Sequence, residues 1–462
     1  MKTPLYKKLA DEIRSGIYSG TLRPGEKLPS KRALAEEKKL SLMTVVGALE
    51  LLEAEGLICS MERRGYFVAK DAVALSPEKL RPHEEIQKKS FGKNSGGKTE
   101  IFDFRSSGTA VEGFPFYTWA KLMRETLSEK DTKLLAAIDP KGVYELRLEI
   151  SRKLALLRGI NCEPSQIIIG AGIEYLLGLV YQLLGRRAYA FESPGYTKAA
   201  KIYSKLGAGL TFLPGDSAGV RADLLEDSGV EVVQVTPSHS FPLGVVMSPE
   251  RRRELISWVS SGEGRFIIED DFDSEFRYSG PSFPSLYSLD RSDRVIYMNT
   301  FTRTLAPSMR IGYMVLPPGL TKKFDAELNF CSSTVPALEQ YVLARFIADG
   351  SFERHLSRMR RIYKSRRDVL CEELERFGER IEVMGTEAGV HILVRLKDGL
   401  SESGVVKKAA RMGIYVTGIS EYTMPGTMPG AIRNAIVMNF AGIDEDSIRR
   451  AFEVFDLQGE NL

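Results

Sequence analysis

The stretch from Phe266 to Tyr313 constrains this chain most. It reads FIIEDDFDSEF and, after a short interval, VIYMNTFTRTLAPSMRIGY. Phe266, Ile267 and Ile268 form an apolar run without alternation, the pattern of a strand covered on both faces, and the run stops at Glu269, Asp270 and Asp271. A second run, Val295 to Met298, ends in Asn299, Thr300 and Thr302, with Arg303 and Arg310 close behind. Carboxylates therefore crowd one strand end, and hydroxyls and guanidinium groups crowd the next. In open α/β sheets ligands bind outside the carboxyl ends of the strands, so this pairing suits a ligand with a basic group and a phosphate.

The surrounding sequence agrees with that architecture. QIIIGAG precedes IEYLLGLVYQLL, AYAFES precedes YTKAAKIYSKLG, and VEVVQVTPS precedes SPERRRELISWVSS. This strand–helix rhythm predicts a mainly parallel sheet with helices on both faces. From about residue 350 the character changes to a long basic helix, then GVHILVRL and AIVMNFAGI, which predicts an α+β C-terminal subdomain. Gly170, Ala171 and Gly172 end one strand and open a helix, a geometry that offers backbone amides to a phosphate.

A chain of 462 residues exceeds one ordinary core, so two or three domains are expected. Residues 1–70 hold 13 Lys and Arg against 9 Asp and Glu, a basic balance that points toward nucleic acid. Within them, Leu5, Leu9 and Ile13 mark an amphipathic helix, Ser30 caps a second helix after Pro29, and Ser41 caps a third whose buried stripe is Val45, Ala48, Leu49 and Leu52. LICS and YFVA then form a hairpin around MERRG. Three helices and a hairpin make a winged helix-turn-helix, whose third helix enters the major groove. Residues 71–100 lose apolar periodicity and include FGKNSGGKTE, the composition of a flexible linker. Cys59, Cys162, Cys331 and Cys371 show no paired spacing, so neither a disulfide framework nor a metal site is indicated. Every apolar run is broken before the roughly 18 residues of a membrane helix, and the expected location is cytoplasmic.

Two parts of the chain carry a resemblance. YKKLADEIRSG, LRPGEKLPSKRALAEEKKLS, TV and EGLI resemble GntR-type DNA-binding domains, and together with the Phe266–Tyr313 stretch they resemble the MocR-type subfamily. These are transcription regulators in which a winged helix is fused to a type I pyridoxal-phosphate-transferase-like, aminotransferase domain. The resemblance implies a domain plan of 1–70 DNA-binding, 71–100 linker and 101–462 effector and dimerisation, with the small subdomain at about 350–462. It implies duplex DNA, a small-molecule effector and a second copy of the chain as partners. DNA contacts carry over to Arg32, Ser41, Thr44 and the wing-tip Gly65; Lys31, Arg63 and Arg64 are added on charge. Pyridoxal phosphate contacts carry over to Gly172, Tyr196 from ESPGY, Asp270 at the pyridine nitrogen, Thr300, Thr302 and Arg310 at the phosphate, and position 303.

The departures from the pattern are chemical. Arg303 stands where the family has its Schiff-base lysine, and a guanidinium is a poor nucleophile that stays charged. Phe272 replaces a tyrosine that donates to the cofactor's ring oxygen, and Val437 replaces the arginine that clamps a substrate carboxylate, with Arg433 nearby. Ile173 brings no hydroxyl to the phosphate, and Glu174 replaces a common glutamine. In the third helix Leu42 and Met43 stand where polar or basic side chains are usual; they cannot make bidentate bonds to guanine but can meet a thymine methyl. His239 is expected to be structural, without an acid–base role. The leading reading is a regulator without catalytic residues, holding pyridoxal phosphate non-covalently at most. The alternatives are an active aminotransferase with an accessory domain and a ligand-free dimerisation scaffold.

Overall fold

The computed structural model describes residues 4–61, 64–69, 101–105, 108–129, 132–280, 283–397, 399–428 and 432–455. The expected linker at 71–100 and Arg63 lie outside them. The chain divides into two compact units, Met1–Lys98 and Thr99–Leu462.

In the first unit α1 (Leu5–Tyr18), α2 (Lys31–Lys38) and α3 (Leu42–Ala54) precede an antiparallel hairpin of β1 (Ile58–Met61) and β2 (Gly65–Val68). Both serine caps form: Ser30 Oγ accepts from Ala33 N–H at 3.2 Å, and Ser41 Oγ from Thr44 N–H at 3.2 Å. The stripe of Val45, Ala48, Leu49 and Leu52 is fully buried, and burying each leucine contributes about 1.5–3 kcal/mol. One expected member of the α1 stripe fails, because Leu5 sits in the first turn and is exposed, while Ala10 and Ile17 complete the buried face.

The second unit is built on a seven-stranded sheet. Its strands are β3 (Ile167–Gly170), β4 (Ala188–Glu192), β5 (Gly209–Leu213), β6 (Val232–Val235), β7 (Phe266–Asp270), β8 (Val295–Thr300) and β9 (Gly312–Val315), in the order β3-β9-β8-β7-β6-β4-β5. Pairings from β8 through β5 are parallel, whereas β9 runs antiparallel to both neighbours. Helices α4 (Tyr144–Arg158) and α5 (Ile173–Leu184) pack against this sheet with α6 (Thr197–Lys205). DPKGVYELR at the start of α4 is a clasp: Arg147 donates to Asp139 Oδ2, the Gly142 carbonyl and the Pro164 carbonyl, each at 3.0 Å. Gly142 has φ +100°, and a Cβ there would stand 2.8 Å from Ile169 on β3.

The tail is α+β, as expected. The long helix α7 (Ser351–Glu375) is followed by an antiparallel sheet of β10 (Ile381–Met384), β11 (His391–Leu396), β12 (Thr417–Gly418) and β13 (Ala435–Asn439) in the order β10-β11-β13-β12.

Candidate functional site

Strands β7 and β8 are parallel and in register, Asp270 beside Met298, so their polar ends emerge at one edge of the sheet. There a cleft of about 310 Å³ is lined by Tyr196, Asp270, Phe272, Thr300, Thr302, Arg303 and Arg310, among others. Six of the seven residues carried over for the cofactor thus line one cleft; Gly172 stands just behind it.

Asp270 is buried, and burial, followed by the charges of Asp271, Asp273 and Glu192, pushes its carboxyl up to about 7. Gln234 Nε2 donates to Oδ2 at 3.4 Å, while Oδ1 has no hydrogen-bond partner. A buried, unmatched carboxylate oxygen is costly unless a ligand supplies a donor, and a protonated pyridine nitrogen is such a donor. Thr300 Oγ1 and Thr302 Oγ1 are 2.8 Å apart. Tyr196, at the start of α6, has its phenol raised by burial and lies within the electrostatic reach of Asp270, Arg303 and Arg310.

Gly172 has a different part from the expected one. Its N–H donates to the Gly170 carbonyl at 2.7 Å and the Ala171 N–H to Thr334 Oγ1 at 3.0 Å, so these two amides are already engaged. What Gly172 supplies is room: φ is +85°, and a Cβ would stand 2.9 Å from the Arg310 guanidinium. Arg310, itself at φ +50°, bonds Glu174 Oε2 at 3.2 Å, and Lys198 Nζ approaches Glu174 Oε1 at 3.5 Å. The glutamate in the glutamine position therefore competes for the cation expected to hold a phosphate.

Burial pulls the Arg303 guanidinium below its usual range, and Asp273 opposes that pull. Phe272 lies edge-on to Phe241, their ring centroids 6.3 Å apart, and has no hydroxyl to donate. Val437 does not line the cleft; it is buried with Leu243, Leu393, Ile419 and Ala435. Arg433 is exposed and is absent from the lining as well, so it does not stand in for the clamp. His239 is buried, Nδ1 bonded to Asp273 Oδ2 at 2.9 Å and its ring 4.5 Å from that of His391. These contacts link the loop after β6 to β11.

Several residues of the cleft were not singled out from sequence. Arg105 reaches it from the start of the unit, paired with Asp103 at 3.0 Å and stacked on Tyr415. Lys198, Tyr422 and Asn439 line it as well. Glu192, behind the wall, accepts from Thr236 N–H at 3.0 Å and from its hydroxyl, and burial pushes its carboxyl up to about 7. The only sequence signal for Glu192 was its place ahead of SPGY.

In the first unit Ser41 and Thr44 share a hydroxyl bond of 2.8 Å at the N-terminus of α3. Leu42 and Met43 beside them are 48% and 80% exposed, an apolar tip at the end of the helix expected to meet bases. Arg32 is exposed; Lys31 lies over Tyr66 and Arg64 over Phe67. Gly65, at φ +98°, opens β2 opposite Met61.

Comparison with known proteins follows the same division. Residues 5–68 match the family "Bacterial regulatory proteins, gntR family", and residues 109–455 match "Aminotransferase class I and II". The chain is 35% identical to the uncharacterized HTH-type transcriptional regulator YhdI of Bacillus subtilis, over 97% of this chain and 94% of that protein. It is 29% identical to the probable rhizopine catabolism regulatory protein MocR of Rhizobium meliloti, over 96% and 92% of the two chains. Among solved structures it resembles the Pyrococcus horikoshii kynurenine aminotransferase in complex with PMP, with a TM-score of 0.68 and 27% identity over 77% of this chain and 89% of that one. No helix among the described residues is long and apolar enough to cross a membrane.

Proposed function

The chain belongs to the MocR-type GntR regulators, in which a winged helix is joined to a class I and II aminotransferase domain, and from that premise we propose how its two units divide the work. It is a transcription regulator. The winged helix binds operator duplex through Arg32, Ser41, Thr44, Lys31, Arg63, Arg64 and the wing at Gly65. The aminotransferase-fold unit forms the homodimer and binds a small effector in the cleft, without catalysing transamination. Residues 1–70, 71–100 and 101–462 act as DNA-binding module, tether and effector domain.

One observation carries the non-catalytic reading: Arg303 stands in a cleft that keeps Asp270. The residues fit a phosphorylated pyridine held without a covalent link. Asp270 Oδ1 would take the ring nitrogen, Tyr196 its face, and Thr300, Thr302 and Arg310 its phosphate. When bound, such a group supplies an electron-withdrawing ring, but a lysine amine is needed to bind it covalently, and a buried guanidinium does not supply one. The chain's own contribution is then recognition: Asp270 holds a cationic ring, and Arg303 is a fixed positive charge for a carboxylate or phosphate.

The test is genome-wide mapping of bound DNA, combined with operator retention measured with and without pyridoxal phosphate and a transaminase assay across the amino acids. Operator binding without turnover supports the reading. Turnover with any amino acid overturns the non-catalytic part, and loss of all duplex binding overturns the regulator.

A further inference from the structure

A second cavity, of about 250 Å³, lies across the sheet edge from the cleft, between α4, the loop after β7, strands β8 and β9, and α7. Residues alternate faces along a strand, so Thr300 lines the cleft while Asn299 lines this cavity, and Asp270 faces one while Arg158, held by Asp271, lines the other. Four cationic side chains reach its wall: Lys153, Arg158, Arg277 and Arg360.

Two buried carboxylates pair with them directly, and a third, Glu269, lies within electrostatic reach of Arg158. Lys153 Nζ lies 2.8 Å from Glu275 Oε1, and Arg158 Nε lies 2.9 Å from Asp271 Oδ2. Arg360 donates through Nε to the Glu275 carbonyl at 2.6 Å, a neutral acceptor. Arg277 donates to the Gly280 carbonyl at 3.2 Å, and the carboxylate of Glu387 stands 4.0 Å away on a largely exposed side chain. The lining itself thus holds four cations and one carboxylate, Glu275, with Asp271 and Glu269 behind Arg158, so an anion in the cavity would meet positive charge on most sides.

Besides Arg158 Nε, which is ion-paired to Asp271 but has no hydrogen-bond partner, the wall holds one unmatched donor and one unmatched acceptor. Tyr313 Oη and Glu275 Oε2 are both buried and have no hydrogen-bond partner. An anion of acceptor oxygens alone would satisfy the phenol and the guanidinium groups but be repelled by Glu275. An oxyanion that keeps an O–H satisfies all of them, donating that hydrogen to the carboxylate.

We propose that this cavity is a second anion site, specific for an oxyanion that keeps an O–H near neutral pH, namely inorganic hydrogen phosphate. It is separate from the cleft described above and does not depend on what that cleft binds. The site accepts hydrogen phosphate and rejects sulfate, which has similar size but no hydrogen to give Glu275 near neutral pH.

The test is calorimetric titration of the full-length protein with inorganic phosphate and, separately, sulfate, in a Thr300→Ala/Arg310→Gln background that removes the cleft's own phosphate contacts. Phosphate is expected to bind at least about tenfold more tightly than sulfate, and Arg277→Gln with Arg360→Gln to weaken phosphate by about tenfold or more. Arg277→Lys with Arg360→Lys, which keeps both charges, should retain part of the affinity and guards against a folding defect. Phosphoserine, whose monoester is mostly without an O–H near pH 7 because its second pKa is about 6, is expected to bind more weakly than inorganic phosphate, and equal or tighter binding counts against the O–H requirement. Equal affinities for phosphate and sulfate, no phosphate binding in this background, or binding untouched by the paired glutamine substitutions overturns the proposal.

Discussion

Asp270 and Asp271 are adjacent and buried, yet their carboxylates belong to opposite sides of the sheet and to opposite charge regimes. Asp270 lines the cleft, and burial pushes its carboxyl up to about 7. Asp271 is also buried, but the Arg158 guanidinium at 2.9 Å and the Tyr297 hydroxyl at 2.6 Å outweigh burial and hold it below the usual range. One is ready for a cationic ligand, and the other is already matched by the protein.

The Asp270 shift has a consequence for stability. The unfolded carboxyl ionises near its ordinary value of 3.8 and the folded one near 7, so the folded state binds more protons between these values and loses stability as pH rises through the window. Asp270→Asn removes the penalty. Its melting temperature should match wild type near pH 4 and exceed it at pH 8, without added ligand, by an amount worth up to a few kcal/mol. The same variant should bind pyridoxal phosphate more weakly. Parallel melting curves at the two pH values would refute the assignment.

Glu174→Gln should strengthen phosphate binding in the cleft. The pairs Glu174 makes with Arg310 and Lys198 are substantially exposed, and such pairs contribute roughly 0.2–1 kcal/mol, so the expected gain is no more than a few-fold. Equilibrium dialysis with pyridoxal phosphate measures it; weaker binding by the variant would show that Glu174 helps to build the cup.

Borohydride should trap no pyridoxyl adduct at position 303 of the native protein, and added pyridoxal phosphate should leave on desalting. Arg303→Lys should make the adduct trappable, because Asp270, Thr300, Thr302 and Arg310 remain around it. Turnover should stay poor, since Phe272 lacks the hydroxyl and Val437 is packed away from the cleft. Peptide mapping by mass spectrometry locates any adduct. One on Lys198, the lysine in the cleft wall, would replace a non-covalent site with a covalent one.

On DNA, Arg32→Ala should weaken specific binding by roughly 1–3 kcal/mol. Met43→Ser should instead relax preference at thymine-bearing positions and leave the salt dependence unchanged, because an exposed apolar tip contacts methyl groups and neutralises no phosphate. Anisotropy titrations over a salt series separate the two. A changed salt slope in Met43→Ser would mean that the substitution disturbs the placement of α3.

The sequence by itself determined the layered plan, because periodicity and capping are local: apolar runs ending in polar residues became β7 and β8, and Ser30 and Ser41 became caps. It also located most of the cleft, since adjacent parallel strands in register must bring their carboxyl ends to one edge. Tertiary structure alone decided the rest. Gly172 proved to be clearance for Arg310 rather than an amide donor, which depends on a residue 138 positions away folding back onto it. Val437 turned out to be packed among leucines and Arg433 exposed, because the antiparallel register of β11, β13 and β12 sets which side chains meet. The second cavity could not be read from any one motif: Lys153, Glu275, Tyr313 and Arg360 come from four separated elements, and their charge balance exists only where the chain brings them together.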